Sequence, residues 1–163
     1  VTDKASQDAA AAPATGPQVV MQKIYLKDCS VEIPGAPLVF TKEWKPKMDV
    51  QINTDVKGVA DSTHEVTLSV TVTAKLDDNT AYLVEAHQAG IFVLRGFAEK
   101  DDQRPVLGAY CPNALFPYLR ETVSDLIQRA GFPQFLLQPV NFDALFQEYL
   151  KQQQAGADGA AKH

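Results

Sequence analysis

Polar and apolar residues alternate most strictly from His64 to Lys75. Val66, Leu68, Val70, Val72 and Ala74 interleave with Glu65, Thr67, Ser69, Thr71 and Thr73. Successive side chains of a strand point to opposite faces, so this stretch predicts a strand with one dry and one wet side. Thr80 to Phe92 repeats the pattern. Tyr82, Val84 and Ala86 share one face, Leu83, Glu85 and His87 share the other, and Gly90 is a place where the chain can bend or bulge before Phe92. Leu76-Asp77-Asp78-Asn79 supplies the hairpin loop between the two. Upstream, Lys23 to Ile33 predicts a first strand with Tyr25, Cys29, Val31 and Ile33 on one face and Leu26, Asp28, Ser30 and Glu32 on the other. Pro34-Gly35-Ala36-Pro37 ends it, Met48 to Asn53 begins another strand, and Asp61-Ser62-Thr63 marks a turn or bulge.

The period changes after Gly108. Leu115, Leu119, Val123, Leu126, Ile127 and Ala130 fall three or four apart, with Pro117 expected in the first helical turn and Gly131 as the stop. Asn141 is placed to cap a second helix whose stripe is Phe142, Leu145, Phe146, Tyr149 and Leu150. The charged run 98–105 reads as a loop. Strands first and helices last predict an α+β fold built on an antiparallel sheet. Residues 1–20 and 151–163, poor in large apolar side chains, read as a disordered arm and a disordered tail around one domain at 21–150.

Charge and chemistry narrow the function. The 163 residues carry 15 Lys and Arg against 20 Asp and Glu, a net charge of -5 with no basic block, which argues against nucleic acid. No run of 18 apolar residues argues for membrane insertion, and the N-terminal stretch lacks the plan of a secretory signal, so a cytoplasmic protein is expected. Cys29 and Cys111 are expected to be small buried hydrophobes with free thiols. No G-x-S-x-G, P-loop, G-x-G-x-x-G or C-x-x-C motif is present, which leaves no catalytic residue to assign. Glu85 and His87 are two potential metal ligands without a third, so neither a metal nor a cofactor is expected. The segment 37–46 is loop-like yet carries Phe40 and Trp44, and reads either as a plug over the sheet edge or as the wall of a groove. The rival classes are an enzyme working through Cys111, and a passive oligomeric scaffold or small-ligand carrier.

Five segments, in order, resemble the bacterial export chaperone family SecB: IYLKDCSVEIPGAPLVFTKEW, EVTLSVTVTA, TAYLVEAHQAGIF, LGAYCPNALFPYLRE and PVNFDALFQEYLKQQQ. The resemblance spans about Lys23 to Leu150. It implies a protomer made of a four-stranded antiparallel sheet with two C-terminal helices, assembled as a homotetramer, a dimer of dimers, that holds unfolded precursor proteins in the cytosol without ATP and passes them to the translocase motor SecA. By position it implies SecA contact at Asp28, Glu32, Leu83 and Glu85. It also implies a client groove at Phe40, Trp44, Phe92, Phe142, Leu145 and Phe146, and oligomer contacts at Val84, Ala86, Gln88, Leu119 and Val123. Val84 stands where many relatives carry a cysteine, a volume-conserving exchange. Related SecB-like chaperones serve toxin-antitoxin systems, which is the alternative role; the acidic face favours export.

Overall fold

The computed structural model describes residues 16–160. Four long strands, β1 (Gln18–Glu32), β2 (Lys47–Ala60), β3 (Thr63–Leu76) and β4 (Asn79–Arg95), form one antiparallel sheet in the order β1-β4-β3-β2. Two tight turns make β2, β3 and β4 a meander. Ser62 and Asp77 take the left-handed backbone these turns need, and the Leu94 N–H donates to the Ser62 carbonyl at 2.8 Å, tying the first turn to β4. The segment 33–46 carries the chain from β1 at one edge to β2 at the other, with a short 3-10 turn at Leu38–Thr41.

After β4 come a short helix α1 (Lys100–Pro105), a π-helical turn (Val106–Tyr110), and the long helices α2 (Cys111–Arg129) and α3 (Phe142–Ala160). The run expected as a loop at 98–105 is thus partly helical. Pro112, not Pro117, occupies the first turn of α2; Pro117 lies inside the helix and cannot donate to the carbonyl one turn back. Gly131, at φ +88, ends α2 as anticipated: its N–H reaches the Gln128 carbonyl at 3.0 Å, and that of Phe132 reaches Ile127 at 3.2 Å. This paired arrangement satisfies the last carbonyls of the helix. Asn141 caps α3, its Oδ1 accepting from the Ala144 N–H at 3.0 Å.

The core lies between one face of the sheet and α2. Val66, Leu68, Val70, Val72 and Ala74 of β3 and Tyr82, Val84 and Ala86 of β4 are buried there, against Leu115, Leu119, Val123 and Ile127 of α2. β4 runs through Gly90 without a register shift to β3, so the expected bend is absent. What the glycine provides is space: a Cβ there would sit 2.7 Å from the Phe92 ring and 2.9 Å from Leu115. Gly90→Val is therefore expected to destabilise the fold by about 3 kcal/mol through overpacking, read as a lower urea midpoint. An unchanged midpoint would contradict this account of the glycine.

The bulges are on β1, where the pairing with β4 shifts between Met21 and Lys23 and again between Leu26 and Asp28. Each extra residue reverses the alternation. Leu26 consequently pairs with Gln88 on the helix side, and Tyr25 with Ala89 on the open side, the opposite of the faces expected for them. β1 also starts inside the stretch expected to be an arm, since Val19 and Val20 pair with Leu94 and Val93; residues 1–15 lie outside the described residues. At the other end α3 continues through Ala160 where a tail was expected, a run rich in the good helix formers Gln and Ala. Residues 161–163 are outside the described residues.

Candidate functional site

The open face of the sheet is mapped by the register. One row of neighbours runs Glu32, Leu83, Thr73, Asp49; the next Ser30, Glu85, Thr71, Gln51; the next Asp28, His87, Ser69, Asn53. Directly opposed residues share a face, so Asp28, Glu32, Leu83 and Glu85 are brought together on two adjacent strands. Asp49, which the strand reading of Met48 to Asn53 did not single out, joins them across β3. Thr71 Oγ1 donates to Glu85 Oε1 at 3.4 Å, and Ser69 Oγ lies 2.9 Å from His87 Nδ1.

Farther along the same face the charge changes character. The β1 bulge turns Tyr25 and Lys27 toward Glu65, which accepts from the Tyr25 hydroxyl and pairs with Lys27 Nζ at 2.9 Å. Lys27 first, then Tyr25, holds the Glu65 carboxyl below its usual range, and the same carboxylate raises the Tyr25 phenol. Lys23 and Lys57 occupy the row of Glu65. Lys47 and Lys75 pair one row beyond Asp49 and Thr73, so the acidic rows around Leu83 lie between that lysine pair and the lysine-rich row of Glu65.

The predicted groove residues fall in three places. Phe40 and Trp44 join an aromatic cluster with Tyr82 and Phe132: Trp44 stacks on Tyr82 at 6.0 Å, Phe132 lies 5.0 Å from Trp44 and 4.8 Å from Tyr82, and Phe40 lies 5.1 Å from Phe132. Phe40 remains 50% exposed. Phe132 was not anticipated, although an aromatic just past a helix-ending glycine is a recognised packing position. Phe142, Leu145 and Phe146 are grouped toward the N-terminal end of α2, where Phe142 meets Phe116 and Phe146 meets Gly108. There α3 and the edge strand β2 enclose a cleft of about 540 Å³, lined among others by Ile52, Val56, Leu145, Phe146 and Tyr149. Phe142 is buried and packs edge-on against Phe116 at 5.6 Å while bordering the cleft, whereas Leu145 and Tyr149 are 43% and 53% exposed. Phe146 packs against Gly108 of the π turn, where a Cβ would be 2.4 Å from the ring. The helix side of β2, through Met48, Val50 and Ile52, connects the two apolar regions.

Phe92 is the third place, and it does not belong to a groove. Its parity on β4 is that of Val84, and it is 0% exposed between Gly90 and α2. The residues expected at a subunit contact are likewise interior to the protomer. Val84, Ala86 and Gln88 lie on the helix side of β4, Leu119 and Val123 lie on the sheet side of α2, and all five are buried. They can influence a subunit contact only by setting how β4 and α2 pack. The large apolar residues left exposed on β1 and α2 are Val20, Met21, Leu26 and Tyr118.

Nothing in the thiol chemistry favours a nucleophile. Burial pushes the Cys111 thiol up to about 12, the reverse of the shift that would create a reactive thiolate. Cys29, expected to be buried, is exposed. Iodoacetamide is accordingly expected to leave Cys111 unmodified in the native protein and to label it after unfolding, as read by peptide mass; rapid native labelling would contradict its burial. Among the described residues, no group of three or more His, Cys, Asp or Glu is placed to hold a metal ion, and no helix is long and apolar enough to cross a membrane.

Comparison with known proteins gives this geometry a family. A family model described as preprotein translocase subunit SecB matches residues 12–153. The protein-export protein SecB of Methylococcus capsulatus is 49% identical over 146 residues, covering 90% of this chain and 94% of that protein. That of Alcanivorax borkumensis is 52% identical over 145 residues, covering 87% and 92%. Among solved structures, a SecB-like chaperone of Mycobacterium tuberculosis, in complex with a ChAD peptide from the HigA1 antitoxin, superposes with a TM-score of 0.60 at 20% identity. The match covers 75% of this chain and 87% of that one, and at this identity it speaks for the fold. On the extent of the family match and of its close relatives, the chain belongs to the SecB family.

Proposed function

We propose that this protein is an ATP-independent holdase of the cytosol, which keeps precursor proteins unfolded and competent for export and delivers them to SecA. The observation that carries the reading is the division of labour between the two sides of one sheet. The α3–β2 cleft and the Phe40–Trp44 cluster leave apolar surface open on the helix side. An acidic platform occupies the other side. An unfolded client has no fixed shape, so it is bound through apolar area at about 25 cal/mol per Å² spread along a groove and not through a specific pocket. Individually weak contacts then add up. A homotetramer built as a dimer of dimers would raise the effective concentration of such sites further.

Discrimination by this device is kinetic, because a fast-folding protein hides its apolar segments before capture while a slow-folding precursor leaves them exposed. SecA is proposed to dock on Asp28, Glu32, Leu83 and Glu85, a largely electrostatic contact that weakens as salt rises. The client groove is proposed at Phe40, Trp44, Leu145 and Phe146, with Phe142 supporting it from beneath. A toxin-antitoxin role has only the shared fold in its favour. The direct test is refolding of a denatured precursor in the presence of the purified protein without nucleotide. Arrest of refolding, with a complex of matching native mass, supports the holdase; refolding at its unassisted rate would reject it.

A further inference from the structure

The open face of β2 carries Lys47, Asp49, Gln51, Asn53, Asp55 and Lys57, a charge pattern that is the same read from either end. The register carries this pattern across the sheet. At one end Lys47 stands opposite Lys75 of β3; at the other Lys57 shares a row with Glu65, Ile91 and Lys23. Asp28, Glu32, Asp49, Asp55 and Glu85 all lie between these two borders, and Lys27, the bulged residue among them, is already held by Glu65. The four border lysines are exposed, and among the described residues none of them forms an ion pair, although Lys57 is close enough to Glu65 to help Lys27 and Tyr25 lower its carboxyl. Lysines on the edge strands β1 and β2 guard against strand addition. That role does not cover Lys75, which sits on an inner strand directly opposite another lysine, an arrangement that is unfavourable until a carboxylate is placed over it.

Size brings the borders into the docking surface. Lys47 and Lys57 are ten residues apart, roughly 33 Å along an extended strand. The acidic stretch from Asp49 to Asp55 is roughly 20 Å long and, over three strand spacings, about 14 Å wide, or about 300 Å². Each partner in a standard interface covers about 800 Å². A stably docked partner therefore overlaps the lysines as well as the carboxylates. We propose that the lysine borders belong to the docking surface, and that the SecA element it accepts is a cationic centre flanked on each side by carboxylates, in preference to a plain polycation. This rests on the docking role assigned to the acidic face. Cationic residues meet Asp28, Glu32 and Glu85 in the middle, while the flanking carboxylates settle on Lys47 and Lys75 at one end and on Lys23 and Lys57 at the other. A longer run of positive charge gains in the middle and is repelled at both ends.

The test compares two probes at fixed low salt, SecA and decalysine, an extended polycation of about the length between the borders. Each is titrated against the full-length natural sequence, Lys75→Glu, Lys23→Glu and Glu85→Lys, with binding of an unfolded precursor as the control for folding. Reversal of either border lysine is expected to weaken SecA binding roughly fivefold, the scale of one or two exposed charge pairs, and to tighten decalysine binding by a similar factor. If both probes bind the border variants more tightly, the borders only repel and SecA places no carboxylate on them, which overturns the proposal and leaves the docking face standing. Unchanged SecA affinity in both border variants, with Glu85→Lys still weakened, overturns it equally. If Glu85→Lys also binds SecA normally, the docking face lies elsewhere and the proposal falls with it.

Discussion

Glu85→Lys is expected to weaken SecA binding at least tenfold while leaving client binding and the fold intact. Glu85 lies in the middle of the acidic rows, beside Ser30 and Thr71 and between the rows of Glu32 and Asp28. Reversing its charge removes an attraction and adds a repulsion against a cationic partner, and close interfacial pairs couple by about 1.5 kcal/mol or more. That alone is about a factor of ten. The structural cost is small, because Glu85 is only partly buried and its contact with Thr71, at 3.4 Å, is long. Binding of SecA and of an unfolded precursor, measured side by side on the variant, distinguishes docking from structure. Equal loss of both would mean that the open face holds the protein together and is not a landing site.

Leu145→Glu should have the complementary effect. Leu145 is 43% exposed on the wall of the α3–β2 cleft, so a carboxylate can stay in water when the groove is empty and the fold is expected to keep its stability. A bound apolar segment would have to desolvate that charge and would lose the leucine contact, together about 2 kcal/mol or more. Client affinity should fall by roughly thirtyfold, with SecA binding unaltered. This position is a cleaner probe than Trp44, whose ring packs against both Tyr82 and Phe132 and whose removal would loosen the protomer as well as the groove. An unchanged client affinity in Leu145→Glu would move the groove away from α3.

Much of this arrangement was legible in the residues. Strict alternation in β3 and β4 needs no knowledge of the partner strands, because one face of each is buried and the other wet. The same parity placed the acidic residues on a common side, and Asn141 and Gly131 declared the ends of the helices through side-chain and backbone chemistry local to them. The failures have equally physical causes. Tyr25 and Leu26 can each occupy either face, so nothing in β1 announced the bulge at Lys27; only the pairing with β4 does. The groove role that the resemblance implies for Phe92 meets a different packing, since counting in twos from Val84 leads straight to the core. Val84, Ala86, Leu119 and Val123 are apolar for the protomer's own packing, and an apolar residue does not say whether its neighbour belongs to the same chain. The helix α1 has no apolar stripe to betray it, since KDDQRP is polar all round.

The central claim is that client and motor use opposite sides of one sheet, and native mass spectrometry with an unfolded precursor and SecA supplied together addresses it most directly. The account expects a ternary assembly, with precursor affinity little changed by bound SecA. Displacement of one partner by the other, so that only binary complexes are ever seen, would contradict it.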